Sequence, residues 1–352
     1  MRRTPLLIAA PLSAIALAAT ASGCSTLGGT SATAAQVSGT TTLVLYSGQH
    51  EQTTALLVSA FEKLNPNIKV TVRSDDEGAL AQQLLQEGSK SPADLFFAEN
   101  SPALEQVQEK GLLAPAPAEA LSAIPAKYDS PQGDWVGITA RVTCLVVGAG
   151  VPASQVPTTA LSLADPKYKG KLAFAGSETD LQPAITAIAD KYGTKAATDW
   201  LNGIKANAAA HLLPDNETVT KDVDTGQVQI GLVDNYYWYR QAVDDGGFDK
   251  AHSRIAYFAA GDPGYVLSVS GIGILASSKH KDAAASFVKF LASPPAEKII
   301  ADSDSFEYPV LPGSPANAAE PPLSTLNPGT VGVDKLGDGS TAISLLQQAQ
   351  LL

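Results

Sequence analysis

The sequence predicts an α/β fold built as two lobes, and three observations indicate this class. Short apolar runs of strand character alternate with segments of helical periodicity along the chain. Two extended runs, at residues 136–147 and 264–274, are long enough to pass between lobes. The 352 residues suffice for two lobes of about 150 residues, each with its own core. With 45% hydrophobic and 17% charged residues, a disordered chain is excluded.

The first lobe is predicted to open with strands separated by helices, which is typical of a largely parallel sheet. Leu57, Phe61 and Leu64 recur at helical spacing before Pro66 ends that helix. Pro102 stands at a helix start, where proline is tolerated. The predicted strands are 43–46, 68–72 and 94–97, and the predicted helices are 50–64, 79–86 and one from 101. Prolines then indicate a loop-rich passage over residues 112–135.

The second lobe is predicted to follow the extended run 136–147. Its predicted strands are 171–174 and 229–233, and its predicted helices are 181–192, 196–204 and one capped by Asp234 or Asn235. The run 264–274 then returns toward the first lobe and precedes a helix at 283–291. We therefore assign residues 41–141 and about 265–300 to an N-terminal lobe, and residues 142–264 and about 301–352 to a C-terminal lobe.

The N-terminus has the features of an export signal. Arg2 and Arg3 precede an apolar stretch at 6–19, shorter than the roughly 20 residues of a membrane-spanning helix. Small residues lead to Cys24, which resembles the lipidated cysteine of a bacterial lipoprotein signal. We predict a signal peptide over 1–23, a flexible tether over 24–40 and a lipid anchor on the outer face of the cytoplasmic membrane. The alternative is a plain secretory peptide with an incidental cysteine.

Charge argues against nucleic-acid binding, and the cysteine content argues against an internal disulfide. Removing Arg2 and Arg3 with the signal leaves 22 basic against 35 acidic residues, or −13 over 329 residues. Such an acidic chain without a basic cluster is not expected to bind nucleic acid. If Cys24 is lipidated, Cys144 has no partner for a disulfide and is predicted to be a small buried hydrophobe.

Polar and aromatic side chains follow three predicted strands, at the edge where open α/β sheets bind ligands. His50 follows the first strand, Glu99 the third, and Tyr236 with Tyr237 the strand at 229–233. Each has a structural alternative: a surface or capping histidine, a glutamate at a helix start, and aromatic residues in a core or a sugar-stacking wall. In the first turn of a helix, however, two adjacent tyrosines lie roughly 100° apart and could face one cleft together.

Paired phenols favour a hard, highly charged cation. Because the pKa of a phenol is about 10, only a strongly Lewis-acidic cation displaces both protons near neutral pH. Ferric iron fits, whereas soft metals prefer Cys and Met, and Met1 is the sole methionine. With four histidines in the chain, a His-rich zinc site is disfavoured.

These segments resemble the bacterial ferric-ion-binding proteins, the transferrin-like receptors of iron(III) ABC importers. The resemblance is carried by residues 45–50, 91–99 and 234–238, with further similarity at 262–264 and 306–309. It extends from about residue 42 to the C-terminus. It implies a two-lobed periplasmic-binding-protein fold of type II, with mixed or parallel sheets flanked by helices and a hinge of crossing strands.

The resemblance also implies a function. His50, Glu99, Tyr236 and Tyr237 would coordinate Fe³⁺ in a cleft between the lobes, and a monomeric protein would deliver ferric iron, free or as a chelate, to an ABC permease. An exogenous anion or water would complete the shell. The positions that match the family's anion site are Asn100, Ser177, Thr179 and Asn216.

Two of the nearby residues depart from the family pattern. Glu178 and Asp234 stand where the family often has Gly and Asn. Two carboxylates would repel phosphate or carbonate unless they are protonated or paired, for which Arg141 is a candidate. Water, or Glu178 itself, could therefore replace the anion.

Two other functions compete with iron binding as interpretations of the sequence. A binding protein for a polyamine, a sugar or an anion would use Tyr and Trp walls, but it would not need His50 and Glu99 beside paired phenols. A lipoprotein enzyme is disfavoured because the chain has no G-x-S-x-G elbow, H-E-x-x-H motif or Walker loop. We therefore expect a binding protein rather than an enzyme.

Overall fold

A computed structural model describes residues 39–352 of the chain. The predicted signal peptide, Cys24 and most of the predicted tether lie outside the described residues. The strands are β1 (Thr41–Ser47), β2 (Ile68–Ser74), β3 (Leu95–Ala98), β4 (Leu113–Ala114), β5 (Trp135–Gly148), β6 (Leu172–Ala173), β7 (Ile230–Asp234), β8 (Ser253–Ala256), β9 (Leu267–Leu275) and β10 (Tyr308–Pro309). The α-helices are α1 (Glu51–Leu64), α2 (Glu77–Glu87), α3 (Ser101–Glu109), α4 (Ala118–Ala123), α5 (Gln182–Tyr192), α6 (Thr194–Ala208), α7 (Asn216–Asp224), α8 (Asn235–Asp244), α9 (Lys281–Leu291), α10 (Pro294–Ala301) and α11 (Ser340–Ala349).

The strands form a mixed sheet in the order β2-β1-β3-β9-β5-β7-β6. β1 is parallel to both β2 and β3, whereas β9 is antiparallel to β3 and to β5. Helices alternate with the strands along the chain, which leaves the carboxyl ends of β1 and β3 side by side. The predicted α/β class with a mixed sheet is confirmed.

The long strand β5 carries the sheet from one part of the fold to the other. Its first residues, as far as Val142, pair with β9, and from Thr143 onward it pairs with β7. Nearly all of β5 is buried, in agreement with the predicted extended run. One hydrophobic cluster packs on the β1–β3 part of the sheet and includes Phe96, and another surrounds Leu145 and Leu232.

Several elements of the described chain were not predicted from the sequence. Helix α4 lies in the proline-rich passage predicted to be loop, because its six residues fit between two prolines. Helix α7 has only Val219 and Val223 as apolar residues, so its periodicity is weak, yet both are buried. Within residues 39–352, no helix combines the length and apolar character needed to cross a membrane.

Candidate metal centre

The first turn of α8 holds the paired phenols. β7 ends at Asp234, and Tyr236 and Tyr237 follow in the helix that starts at Asn235. Their rings are buried and lie 4.1 Å apart between centroids, at an interplanar angle of 31°. Both hydroxyls donate to Oδ2 of Asp180, over 3.1 Å from Tyr236 and 2.6 Å from Tyr237. The helical start therefore directs two adjacent phenol oxygens to a single point.

His50 and Glu99 lie together beside the Tyr236 ring, in the same cleft. They follow β1 and β3, which are parallel neighbours, so their side chains meet at one edge of the sheet. Nε2 of His50 lies 3.2 Å from Oε1 of Glu99, and the two side chains are only 13% and 15% exposed. The His50 ring packs edge-on against Tyr236, with 4.9 Å between centroids. The structure thus brings all four predicted ligands to one cleft.

Burial and charge set the protonation of these groups. Burial, reinforced by the Asp180 charge, raises the pKa of both tyrosines well above the ordinary phenol value. Burial and then the Arg240 and Arg141 charges lower the pKa of His50 to about 3. Without a metal cation, the phenols and the imidazole are therefore neutral near pH 7. A trivalent cation at this point would offset the cost of ionising the phenols.

Asp180 is the central acceptor of the cleft and was missed in the sequence analysis. Besides the two phenols, it accepts from Nδ2 of Asn100 at 3.2 Å and from Nδ2 of Asn216 at 3.4 Å. Burial alone would raise its pKa, but the Arg141 guanidinium and the donated hydrogen bonds hold that pKa below its ordinary value. Its only sequence signal is its place directly after Thr179, at the start of the predicted helix at 181–192.

Arg141 is the buried cation of the site. Its guanidinium lies 3.1 Å from Glu307, 3.5 Å from Asp180 and 3.5 Å from Asp234, and the last of these is an ion pair without hydrogen-bond geometry. Asp234 occupies the N-cap position of α8, but its side chain does not cap the helix and faces Arg141 instead. Asp234 and Glu178 were both expected to need a positive partner. Arg141 lies beside Asp234 and forms no ion pair with Glu178 among the described residues.

Only some of the other predicted anion-site residues contact Asp180. Asn100 and Asn216 contact it, and Glu178 lines the cleft mouth. Burial, and then the Asp180 charge, raises the pKa of Glu178 to about 8. The Ser177 hydroxyl donates to the Pro214 carbonyl at 3.0 Å. Thr179 begins the short turn Thr179–Leu181 that presents Asp180. Two of the donors expected around an exogenous anion, Asn100 and Asn216, are thus used on a protein carboxylate.

Two more buried carboxylates support the cleft and were also missed. Glu77 accepts from the backbone and side-chain nitrogens of Asn100 at 2.7 and 2.8 Å. Gly48 permits this approach, because a Cβ there would lie 2.5 Å from Cβ of Glu77. Glu307 offers a ligand atom that, with those of His50 and Glu99, forms a group within 4.8 Å. It lies in a segment that the sequence analysis noted only as similar to the family.

This α/β fold has a cleft of oxygen and imidazole donors at its strand ends. Such a site defines a solute-binding protein suited to a hard metal cation. The chain belongs to the family of bacterial extracellular solute-binding proteins, which it matches over residues 57–325. Members of this family that bind ferric iron can therefore be compared directly with this chain, which tests the predicted similarity to ferric-binding proteins.

Known relatives bear that similarity out. The chain is 36% identical over 311 residues to the Fe(3+)-binding periplasmic protein of Serratia marcescens, covering 88% of this chain and 90% of that one. It is 30% identical to the major ferric iron-binding protein of Neisseria meningitidis, covering 87% and 92%. The crystal structure of iron-bound HitA from Pseudomonas aeruginosa superposes with a TM-score of 0.83 at 35% identity, covering 88% and 99%. The predicted family and its periplasmic-binding fold are confirmed.

Proposed function

We propose that this protein captures ferric iron outside the cytoplasmic membrane, through His50, Glu99, Tyr236 and Tyr237. The observation that carries the proposal is the convergence of two phenol hydroxyls on one point beside an imidazole and a carboxylate. Hard oxygen donors of this kind suit a trivalent cation. The iron-binding names of the relatives support the same cargo.

Asp180 is a fifth donor in this proposal. Its Oδ2 already lies within hydrogen-bond distance of both phenol oxygens, so a cation bound to the phenols would be close to it. Glu99, Asp180 and two phenolates would supply four negative charges, which Fe³⁺ and Arg141 together balance. Asp234 and Glu307 are left out of this count because burial raises the pKa of Asp234 to about 8 and also raises the pKa of Glu307. No exogenous anion is needed for neutrality, and water would complete the shell.

Titration of iron-free protein with ferric citrate tests the assignment. We expect a visible phenolate-to-iron charge-transfer band that saturates at one iron per chain. Tyr236→Phe and Tyr237→Phe should each lower ferric affinity by roughly 100-fold or more, because changes outside the ligand shell alone cost 10–100-fold. Tyr239→Phe is the matched control, since Tyr239 lies in the same helix but stacks on Phe306. Wild-type colour and affinity in both ligand variants would refute the proposal.

The family and the sequence together support a proposal for the location and the partner of the protein. The protein acts as a binding protein and not as an enzyme, is held to the outer face of the membrane by lipid on Cys24, and passes iron as a monomer to an ABC permease. Cys24→Ala tests the anchor, because the variant should leave the membrane fraction while still binding iron. Membrane retention of that variant would exclude lipidation as the anchor.

The two lobes are proposed to consist of residues 41–141 with about 265–300, and of residues 142–264 with about 301–352. The change of partner along β5 at Val142 and Thr143 supports a boundary there. His50 and Glu99 then belong to one lobe, and Tyr236 and Tyr237 to the other. Iron binding would join the lobes.

A further inference from the structure

Arg240 reaches across the cleft to His50. It lies one helical turn after Tyr236 in α8, and its guanidinium carbon is 6.0 Å from the Tyr236 ring centroid. Nη1 of Arg240 is 3.3 Å from Nδ1 of His50, in hydrogen-bond geometry. Across residues 39–352, no carboxylate forms an ion pair with Arg240 within 4.0 Å. The imidazole is therefore its polar partner in the cleft.

This contact fixes where the imidazole proton sits. A guanidinium has only donors, so Nδ1 of His50 must be the acceptor. A neutral imidazole has one N–H, which then lies on Nε2. Nε2 is the nitrogen beside Glu99, 3.2 Å from Oε1, in a contact without hydrogen-bond geometry. The Arg240 contact thus selects the tautomer of His50.

That tautomer is the wrong one for binding a metal through Nε2. A histidine ligand offers the lone pair of one nitrogen and carries its proton on the other. Coordination at Nε2 requires a proton on Nδ1, which would meet the donor face of Arg240. The two states of His50 are mutually exclusive.

We infer that Arg240 competes with the ferric ion for His50, so that iron binds Nε2 only after the guanidinium has left Nδ1. The inference rests on the proposed function of the cleft. Arg240 is a positioning residue here and touches no iron. It lowers ferric affinity, and its return to Nδ1 favours release of the cargo.

Nitrogen NMR of the iron-free protein tests the tautomer without any metal. Imidazole ¹⁵N shifts distinguish N–H from lone-pair nitrogens, and the His50 signals are assigned by their loss in His50→Ala. We expect protonated Nε2 in the wild type and in Arg240→Lys, which also has only donors. In Arg240→Gln the amide oxygen can accept from Nδ1–H, so the proton should move to Nδ1. Protonated Nδ1 in the wild type would overturn the inference.

Ferric titration of the same variants separates tautomer control from simple charge repulsion. Arg240→Gln and Arg240→Met both remove the charge, but only Gln can stabilise the metal-binding tautomer. We expect Gln to bind iron roughly tenfold more tightly than Met, the effect of one hydrogen bond. In a His50→Ala background this difference should vanish. Equal ferric affinities of Arg240→Gln and Arg240→Met, or a difference that persists without His50, would overturn the inference.

A wild type that binds no iron would instead refute the proposed function, and the NMR result would still stand.

Discussion

The side-chain amide of Asn235 donates a hydrogen bond of 2.9 Å to Oε1 of Glu320, beneath the start of the tyrosine helix. The same amide donates to the Phe306 carbonyl at 3.2 Å, and its oxygen accepts from the backbone nitrogen of Val142 at 2.9 Å. The residue before Tyr236 therefore joins α8 to β5 and to the C-terminal part of the chain. All of these atoms are buried.

Asn235→Asp should weaken ferric binding by about tenfold. The change removes two donated hydrogen bonds and places a second carboxyl group beside that of Glu320, which displaces the helix start that positions both phenols. Ferric titration measures the loss. Adding Glu320→Gln restores a donor across the same gap, so the double variant should recover affinity. A single variant that binds like the wild type, or a double variant that recovers nothing, would contradict this role.

Iron binding should release at least two protons per iron at pH 7. Burial and the Asp180 charge keep the pKa of Tyr236 and Tyr237 well above the ordinary value, so both phenols lose a proton only on coordination. His50 adds none, because its pKa is lowered to about 3. Burial and the Asp180 charge raise the pKa of Glu99 well above its ordinary value, so Glu99 can add a third proton.

Ferric affinity should also depend on pH. Protons and iron compete for the same oxygens, so ferric affinity falls as the pH falls and acid promotes release. A pH-stat titration, corrected for the ferric chelate alone, counts the protons. Release of none, or iron retention unchanged from pH 7 down to about 4, near the ordinary glutamate pKa, argues against phenolate ligands.

Asp180→Ala should make ferric binding depend on an added anion. The variant leaves Asn100, Asn216 and Arg141 as donors around a space from which the carboxylate has gone. We expect affinity to fall by roughly 100-fold in anion-free buffer and to recover partly with phosphate. The wild type should not respond to phosphate. Asp75→Ala, at the exposed cleft mouth, is the control. A phosphate-dependent wild type would contradict the proposed charge balance.

Glu297→Gln should stabilise the protein at pH 8 and change little at pH 4. Glu297 is completely buried in α10, and burial raises its pKa to about 7. A carboxyl whose folded pKa is raised favours folding below the unfolded value, and this contribution is lost as the pH rises through about 7. The gain in unfolding free energy at pH 8 should reach about 3 kcal/mol. Urea unfolding at both pH values measures it, with Glu119→Gln on the surface of α4 as control. An equal effect at both pH values would exclude an ionised Glu297 as the cause.

Iron should draw the two proposed lobes together. One lobe supplies two of the proposed donors, His50 and Glu99, and the other supplies three, Asp180, Tyr236 and Tyr237. The full set of donors therefore needs both sides of the cleft. The hinge is expected at residues 140–143 and 264–267. Small-angle scattering should show a smaller radius of gyration with Fe³⁺ than without. An unchanged radius with iron bound would indicate a rigid cleft.

The sequence predicted the parts of the site that depend on local pattern. His50 and Glu99 follow recognisable apolar strands, and the paired tyrosines follow another, so their shared edge could be inferred from the α/β class. Helix α5 and strand β5 were also predicted closely, because their apolar residues recur with a clear period.

The missed residues depend on contacts between distant parts of the chain. Asp180 is one acidic residue among many until the fold brings Asn100, 80 positions earlier, and the phenols, 56 and 57 positions later, onto its carboxylate. Glu77 is likewise ordinary in sequence, and only the close packing at Gly48 shows its place. Arg240 has no neighbour in sequence that indicates His50 as its partner.

The central place of β9 in the sheet governs the order in which the protein can fold. β3 pairs with β9 across almost 180 positions of the chain, and β9 also separates β3 from β5. Until residue 275 has emerged, a nascent chain leaves the inner edges of β3 and β5 without their shared partner. Such long-range pairing slows folding and prolongs exposure of those edges. A chaperone that holds the early strands apart until β9 arrives would therefore raise the yield of native protein.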